Sequence, residues 1–170
     1  MAVKYSFQNF DAKSMVRVAG RNMPVSTKHS VEIARYLKGK QVDVAIRRLQ
    51  AAIDKTQAIP YRRYLRSISH KPGKIGPGRY PKLSSGYISG LLSNLKSQAT
   101  GKGLDVTKLT IIHAAAQKGQ KLWHYGRRHR ARKNTNFEIV AKEVEKKKTE
   151  EKKKQPETKV SAPQPKGVMK

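Results

Sequence analysis

The sequence predicts an α+β fold built from a short strand, three helices and a long β-hairpin, in that order. Three observations predict it. A segment near residue 14 alternates apolar and polar residues, three amphipathic stretches with helical spacing lie between residues 26 and 103, and two strand-forming runs flank a basic stretch after residue 108. A length of 170 residues suits one domain with appendages. We assign residues 1–145 to the domain and 146–170 to a tail.

The first strand and the first helix occupy residues 14–39. Ser14–Asn22 alternates apolar and polar side chains, which indicates a strand with one exposed face. Ser26 is a candidate N-cap and Gly39 a candidate C′ residue for the helix that follows. The predicted inward side of this helix carries Val31, Ile33, Ala34 and Leu37.

Two further helices follow the same pattern. The second has apolar residues at i, i+3, i+4 and i+7, namely Val42, Ala45, Ile46, Leu49, Ala52 and Ile53. The third begins after Pro81 and ends near Gly101 and Gly103. Gly86 and Gly90 form a G-x-x-x-G spacing, which in this helix predicts close packing. The apolar stripe of the third helix consists of Ile88, Leu91, Leu92, Leu95 and Ala99.

The segment 59–81 between the second and third helices contains four Pro and three Gly, so we predict a long irregular loop. Its tyrosines alternate with basic residues, and these are the side chains that stack on bases and contact phosphates. The candidate RNA-binding residues here are Tyr61, Arg62, Arg63, Tyr64, Arg66, Lys71, Lys74, Arg79, Tyr80 and Lys82, the last just inside the helix.

The predicted hairpin spans residues 107–145, with Leu109–Ala116 as its outgoing strand and Thr135–Val144 as its return strand. Ten residues a side at ~3.3 Å each would extend it by ~30 Å. Because an isolated two-stranded ribbon is marginal in water, we expect RNA to surround it. We interpret Trp123 as a residue that stacks on a base rather than a core residue. The RNA-binding candidates here are Lys118, Lys121, Arg127, Arg128, Arg130, Arg132 and Lys133.

Charge identifies the partner class. Lys and Arg number 38 against 11 acidic residues, a formal charge of +27, and residues 55–104 and 106–137 contain no acid. A polyanion would relieve the resulting repulsion and release counterions.

The tail contributes nine Lys and three Glu without an aromatic residue, so we expect it to be disordered alone. Further RNA-binding candidates in the first forty residues are Arg17, Arg21, Lys28, Lys38 and Lys40.

Several function classes find no support in the sequence. Cysteine is absent, the five histidines show no metal-ligand spacing, and the acidic residues are scattered rather than paired for acid/base work. We therefore expect no enzymatic activity, cofactor or metal. No apolar run approaches the ~20 residues of a membrane span, so we expect no membrane partner and a cytosolic protein. Two alternatives stay open: a DNA-architectural module, which would bind duplex DNA as well as RNA, and an RNA-acting enzyme, which would need a cofactor pocket or turnover.

In their order, these elements resemble the universal large-subunit ribosomal protein family known as L twenty-two in bacteria and L seventeen in eukaryotes, particularly its archaeal and eukaryotic branch. The resemblance covers about residues 3–145. It rests on the helix opening at Ser26-Thr27-Lys28, the Lys38-Gly39-Lys40 turn, the Ala45–Asp54 helix, the strings Ile59–Tyr64, Gly78–Lys82 and Lys102–Val106, and the basic hairpin.

The resemblance implies three helices packed on a three-stranded antiparallel sheet, from which two strands extend as the hairpin. It also implies binding to large-subunit ribosomal RNA, contact with neighbouring ribosomal proteins, and a hairpin tip that lines the exit tunnel of the nascent polypeptide. The family's tip motif contains a proline that is missing here, so the tunnel-facing residue is not assigned. The tip candidates are Trp123, His124, Tyr125, Gly126, Arg127, Arg128 and His129.

Overall fold

A computed structural model describes residues 5–73 and 75–144. The predicted tail at 146–170 lies outside these residues. In chain order the elements are β1 (Met15–Met23), α1 (Thr27–Leu37), α2 (Val42–Ile53), β2 (Ile59–Pro60), β3 (His70–Lys71), β4 (Gly76–Arg79), α3 (Lys82–Gly101), β5 (Leu109–Lys118), β6 (Leu122–Trp123), β7 (Ala131–Arg132) and β8 (Thr135–Glu143). The α+β class and the three helices are confirmed.

The main sheet is antiparallel, with β8 between β1 and β5. Val16 of β1 and Ile111 of β5 both pair with Ala141 at the centre of β8, and all three are fully buried. Helix α1 packs along β5, α3 packs along β1, and α2 packs chiefly against α3. One apolar core therefore lies between a helical layer and the sheet.

The core side chains follow the predicted periodicity with two differences. The inward positions Ile33, Ala34 and Leu37 of α1 are buried, but Val31 is only half-buried and its neighbour Glu32 is 1% exposed. A buried carboxylate needs hydrogen-bond donors to offset its lost hydration. Those donors come from a distant segment that the helical pattern of α1 does not reveal.

The close packing predicted at Gly86 and Gly90 is wrong. A Cβ atom added at either position would meet nothing within 4 Å, and both residues are exposed. The close approach occurs instead at Gly20 of β1, where a Cβ would lie 2.8 Å from Cδ1 of Leu91. Helix α3 therefore meets the sheet through a glycine of the strand, not through its own glycines.

The segment 59–81 is more regular than predicted. β4 pairs with both β2 and β3 in a second antiparallel sheet, with Pro60 opposite Gly78. Proline is tolerated because these strands are very short and its carbonyl can still accept a hydrogen bond. Pro77, for example, accepts one from the backbone N–H of Tyr61 at 2.9 Å. The prolines and glycines thus shape a compact loop, which we call the basic loop (residues 59–81).

The outer face of the main sheet is partly covered by residues 5–10. The backbone N–H of Ser6 donates to Glu138 at 2.9 Å, its Oγ lies 3.0 Å from Nε2 of His113, and the Phe7 ring packs on that histidine at 5.5 Å. His113, a residue of β5, therefore has its contacts within the protein. The cover supplied by the N-terminal residues was not predicted.

The hairpin strands β5 and β8 are confirmed, and the chain continues past them as a narrower ribbon, Gly119–Asn134, which we call the arm. Leu122 pairs with Arg132 and Trp123 with Ala131. Beyond these pairs the backbone N–H of His124 donates to the carbonyl of Arg130 at 3.1 Å, and a 3₁₀ turn at Gly126–Arg128 forms the tip of the arm. No helix in the described part of the chain is long and apolar enough to cross a membrane.

The base of the arm is closed by Asn134, which is 7% exposed. Its side-chain amide donates to the carbonyl of Gln120 at 3.0 Å and to Oδ1 of Asn22 at 3.3 Å. A Cβ atom on Gly119 would lie 2.7 Å from Cγ of Asn134. Only glycine leaves room for this amide at residue 119.

Gly119→Ala should therefore displace the Asn134 amide and lower the free energy of unfolding by about 1–3 kcal/mol, the usual cost of overpacking. Urea-induced unfolding measures it. The matched control is Gly101→Ala, where a Cβ meets nothing within 4 Å and stability should hold or rise. Equal stability of Gly119→Ala and the unchanged protein would contradict this account of the arm base.

Candidate nucleic-acid interface

A single buried carboxylate fixes the start of the basic loop. Glu32 of α1 accepts hydrogen bonds from the backbone N–H groups of Arg62 (3.0 Å), Arg63 (2.7 Å) and Tyr64 (2.8 Å). The side chains of Arg62 and Arg63 are exposed. Because Glu32 binds the backbone of this segment, the arginine side chains remain available to an outside partner.

The ionisation of Glu32 reflects two opposing effects. Burial disfavours the carboxylate, but the three N–H donors together outweigh burial and hold the pKa of Glu32 below its usual range. A carboxylate with a depressed pKa stabilises the folded state at pH values above its unfolded pKa. This contribution is lost as the pH falls through the folded pKa.

The basic loop and the first turn of α1 enclose a cleft of about 360 Å³, which we call the α1 cleft. The N-cap Ser26 lies at its edge and makes no side-chain cap bond, so the first N–H groups of the helix are left without that partner. The cations of the cleft are Lys28, Arg63, Arg66 and Arg79, and its other walls are His29, Tyr61, Tyr64, Leu65 and Ile68.

Tyr61 differs from the other tyrosines of the basic loop. It was predicted to present its ring to RNA, but it is 3% exposed and belongs to the apolar core. Tyr64 and Tyr80 are half-buried and keep part of their surface. Lys28 and Arg63 lie over the Tyr64 ring, each 5.7 Å from its centroid, and Lys71 lies 5.6 Å from that of Tyr80. The alternation of Tyr and Arg therefore mixes one core residue with surface residues.

A second basic group lies on the other side of Glu32. Arg35 and Arg62 border a depression that also includes Lys40 and Tyr36. Lys40 donates a hydrogen bond to the carbonyl of Tyr36, and burial followed by the nearby charge of Arg48 lowers the pKa of Lys40. Lys40 is thus largely engaged within the protein. Arg35 was missed, although it lies two helical turns after Lys28 on α1.

The arm presents its basic side chains to solvent. Trp123 is 59% exposed with the ammonium of Lys121 at 4.2 Å from its ring, and Tyr125 is 94% exposed. The prediction that Trp123 lies outside the core is confirmed. Gly126 and His129 adopt left-handed conformations (φ 72° and 40°) that turn the chain at the tip. The other described basic side chains of the arm are exposed, namely Arg127, Arg130, Arg132 and Lys133.

The remaining candidates are spread over the surface. Arg17 lies between the rings of Tyr5 and Phe10, at 4.5 and 4.4 Å, so the protein already engages its guanidinium faces. Four further candidates are exposed at the ends of regular elements. These are Arg21 near the end of β1, Lys38 just after α1, Lys82 at the start of α3 and Lys118 at the end of β5. His124 is half-buried in the arm. Two predictions lie outside the described residues: Lys74 entirely and the side chain of Arg128.

The cations of the basic loop and the arm have no carboxylate partner among the residues that the structure describes. The ion pairs among the described residues lie elsewhere, between Lys96 and Asp43 at 2.6 Å and between Lys108 and Asp105 at 2.5 Å. Glu32 binds backbone N–H groups, and Glu138 accepts from Ser6 and Gln117. Positive charge on these two segments is therefore not neutralised within the described structure. Within it, no three His, Cys, Asp or Glu side chains cluster as metal ligands.

Comparisons with known proteins identify the family. The family described as "Ribosomal protein L22p/L17e" matches residues 18–142. The chain is similar to three archaeal proteins, each named "Large ribosomal subunit protein uL22". Identity is 36% with that of Archaeoglobus fulgidus (80% of this chain, 89% of the relative), 40% with that of Cenarchaeum symbiosum (82% and 97%) and 42% with that of Thermoplasma acidophilum (74% and 80%). The resemblance drawn from the sequence is confirmed.

Glu32→Gln should remove the charged acceptor while keeping the side-chain shape. We expect the free energy of unfolding at pH 7 to fall by about 2 kcal/mol, the usual scale for hydrogen bonds to a charged group. Because the folded pKa is depressed, the difference from the unchanged protein should shrink as the pH falls below about 4.3, the usual value for Glu.

Urea unfolding at pH 7 and pH 3 measures both quantities. Glu143→Gln is the control, since this partly exposed carboxylate makes no hydrogen bond among the described residues and should change stability by less than about 0.5 kcal/mol. A Glu32→Gln deficit that is absent at pH 7, or that grows towards pH 3, would contradict the role assigned to Glu32.

Proposed function

Because this chain belongs to the ribosomal protein L22p/L17e family, we propose that it is a structural constituent of the large ribosomal subunit that binds ribosomal RNA. The observation that carries the proposal is the set of cations on the basic loop and arm that have no carboxylate partner in the described structure. Phosphate groups are the partners that such cations lack.

In this mechanism the protein neutralises RNA phosphates and holds RNA segments in position. Arg and Lys side chains reduce the repulsion between crowded phosphates, so that RNA segments can approach one another. The Glu32 carboxylate holds the backbone at Arg62 and Arg63, so the basic loop offers its charges from a fixed position. Half-buried Tyr64 and Tyr80 can add stacking on unpaired bases. Residues 1–145 are proposed to form this RNA-binding unit, and 146–170 a disordered tail.

The arm acts as a strut between RNA segments and extends to the wall of the nascent-peptide exit tunnel. A two-stranded ribbon is marginal in water, and contact with RNA along its length would supply the missing burial. The exposed Trp123 and Tyr125 and the turn at Gly126 support a tip that meets the tunnel. The proposed partners are large-subunit ribosomal RNA, neighbouring ribosomal proteins and the nascent polypeptide, all in the cytoplasmic ribosome. The role is structural, without a catalysed reaction.

Neutralising the basic loop tests RNA binding. In the triple variant Arg62→Gln, Arg63→Gln, Arg66→Gln, affinity for large-subunit ribosomal RNA should fall. The slope of log affinity against log salt should become shallower by about one unit for each phosphate that the variant no longer neutralises. Filter binding across a salt series gives both quantities.

The matched control, Lys13→Gln, Arg47→Gln, Lys55→Gln, removes the same charge from exposed positions outside the basic loop and the arm. It should change the slope much less. Equal slopes for the two triple variants would mean that only net charge matters and would remove the assigned role of the basic loop. Equal affinity of the unchanged protein for duplex DNA and ribosomal RNA would favour a general nucleic-acid-binding module.

Deleting Trp123–Arg130 tests the tunnel role. We expect the shortened protein to join large subunits, because the basic loop and the base of the arm remain, while nascent-chain stalling at tunnel-sensitive sequences changes. Co-sedimentation and ribosome profiling measure the two effects. Complete loss of subunit assembly would show that the tip is needed as a scaffold instead.

A further inference from the structure

Tyr61 lines the α1 cleft, and its buried hydroxyl has no hydrogen-bond partner within the described protein. The residue is 3% exposed. An unsatisfied buried polar group destabilises a folded protein, so its presence calls for an explanation. Burial raises the pKa of Tyr61 to about 12, which keeps the hydroxyl protonated and able to donate at neutral pH.

The Tyr61 ring is held firmly in the cleft wall. Its backbone N–H donates to Pro77, and its ring meets that of His29 edge-on at 5.9 Å with an interplanar angle of 80°. A phenylalanine would provide the same packing without the hydroxyl. Packing therefore explains the ring but not the oxygen, which points to a ligand that accepts a hydrogen bond from the hydroxyl.

His29 gives the cleft a second polar group. The ring is half-buried and makes no hydrogen bond among the described residues. Burial, followed by the positive charges of Arg79 and Lys133, lowers the pKa of His29. The neutral imidazole has one donor and one acceptor nitrogen. Exposed base edges carry both kinds of group.

The cleft also combines stacking surface with positive charge. Tyr64, Leu65 and Ile68 supply aromatic and apolar wall, and Leu65 is 46% exposed. Lys28, Arg63, Arg66 and Arg79 surround it without a carboxylate partner in the described structure, beside the N-terminus of an eleven-residue helix. Helix N-termini and arginines bind phosphate. The volume of about 360 Å³ lies within the range of ligand pockets, ~300–1,000 Å³.

We infer that the α1 cleft receives one unpaired nucleotide of an RNA chain, with its base between Tyr64 and the Tyr61 hydroxyl and its phosphates on the surrounding cations. The inference rests on the proposed RNA-binding function and makes it more specific. It separates the roles of two neighbouring tyrosines: Tyr64 stacks, and Tyr61 donates from within the core. A helical RNA segment could occupy the cations but would not bring a base to the buried hydroxyl.

Tyr61→Phe removes only the hydroxyl. In the full-length chain it should bind large-subunit ribosomal RNA about fivefold to tenfold more weakly at fixed salt, the loss expected for one hydrogen bond. The slope of log affinity against log salt should not change, because no cation is removed. The thermal midpoint should hold or rise, because an unsatisfied buried group is gone. Tyr87→Phe, an exposed tyrosine of α3, should change none of these quantities.

The outcome separates this inference from the proposed function. If the unchanged protein binds the RNA with a steep salt dependence but Tyr61→Phe binds equally well, the nucleotide pocket is wrong and the RNA-binding function stands. If the unchanged protein shows no salt-dependent RNA binding, both fail.

Ultraviolet crosslinking with mass spectrometry identifies the bound RNA element. We expect a crosslink between residues 61–66 and a nucleotide that chemical probing of the free RNA shows to be unpaired. Crosslinks confined to paired nucleotides would mean that the cleft binds only a helix backbone, and the inference would be overturned.

Discussion

The position of the basic loop depends on one buried carboxylate. Three consecutive backbone N–H groups, from Arg62 to Tyr64, converge on Glu32, and the α1 cleft exists because this contact holds the loop beside the first turn of α1. Without the carboxylate, the Arg-rich segment would lose these three hydrogen bonds and would be held against the repulsion of its own charges by the buried Tyr61 and the short strands β2, β3 and β4. The Glu32 carboxylate thus binds backbone N–H groups, and this contact fixes the positions from which the arginine side chains of the basic loop point to solvent.

The same separation of charge governs the whole described surface. Glu138 is occupied by Ser6 and Gln117, and Asp43 and Asp105 pair with Lys96 and Lys108, all outside the basic loop and the arm. The cations of those two segments are therefore left for a polyanion. The hydroxyls of Thr27, in the first turn of α1, and of Thr135, next to the base of the arm, lie 2.8 Å apart, so the α1 cleft and the base of the arm are neighbours.

Much of the fold could be predicted because the helices and main strands carry regular apolar patterns. Leu49, Leu92 and Ile111 are buried as the periodicity indicates. Long-range contacts were not predictable in the same way. The burial of Glu32 depends on a segment thirty residues away, and Tyr61 enters the core through pairing between β2 and β4, although the prolines and glycines of this segment had predicted an irregular loop. Gly86 and Gly90 had the spacing of a packing motif, but spacing alone does not say which helix face meets the sheet. In the candidate interface, the exposure of Arg63 and Arg66 followed from sequence, whereas the neighbouring His29 and Arg35 emerged only from the packing of α1 against the basic loop.

The central claim is that RNA neutralises the cations of the basic loop and the arm and buries the arm, because the described part of the protein itself does neither. Amide hydrogen exchange, measured on the free chain and on its complex with large-subunit ribosomal RNA, tests it most directly. The amides of residues 119–134 should exchange rapidly in the free protein and become strongly protected in the complex, while those of β1 and β8 stay protected in both. Arm amides as protected as the main sheet in the free protein, or unprotected in the complex, would contradict the claim.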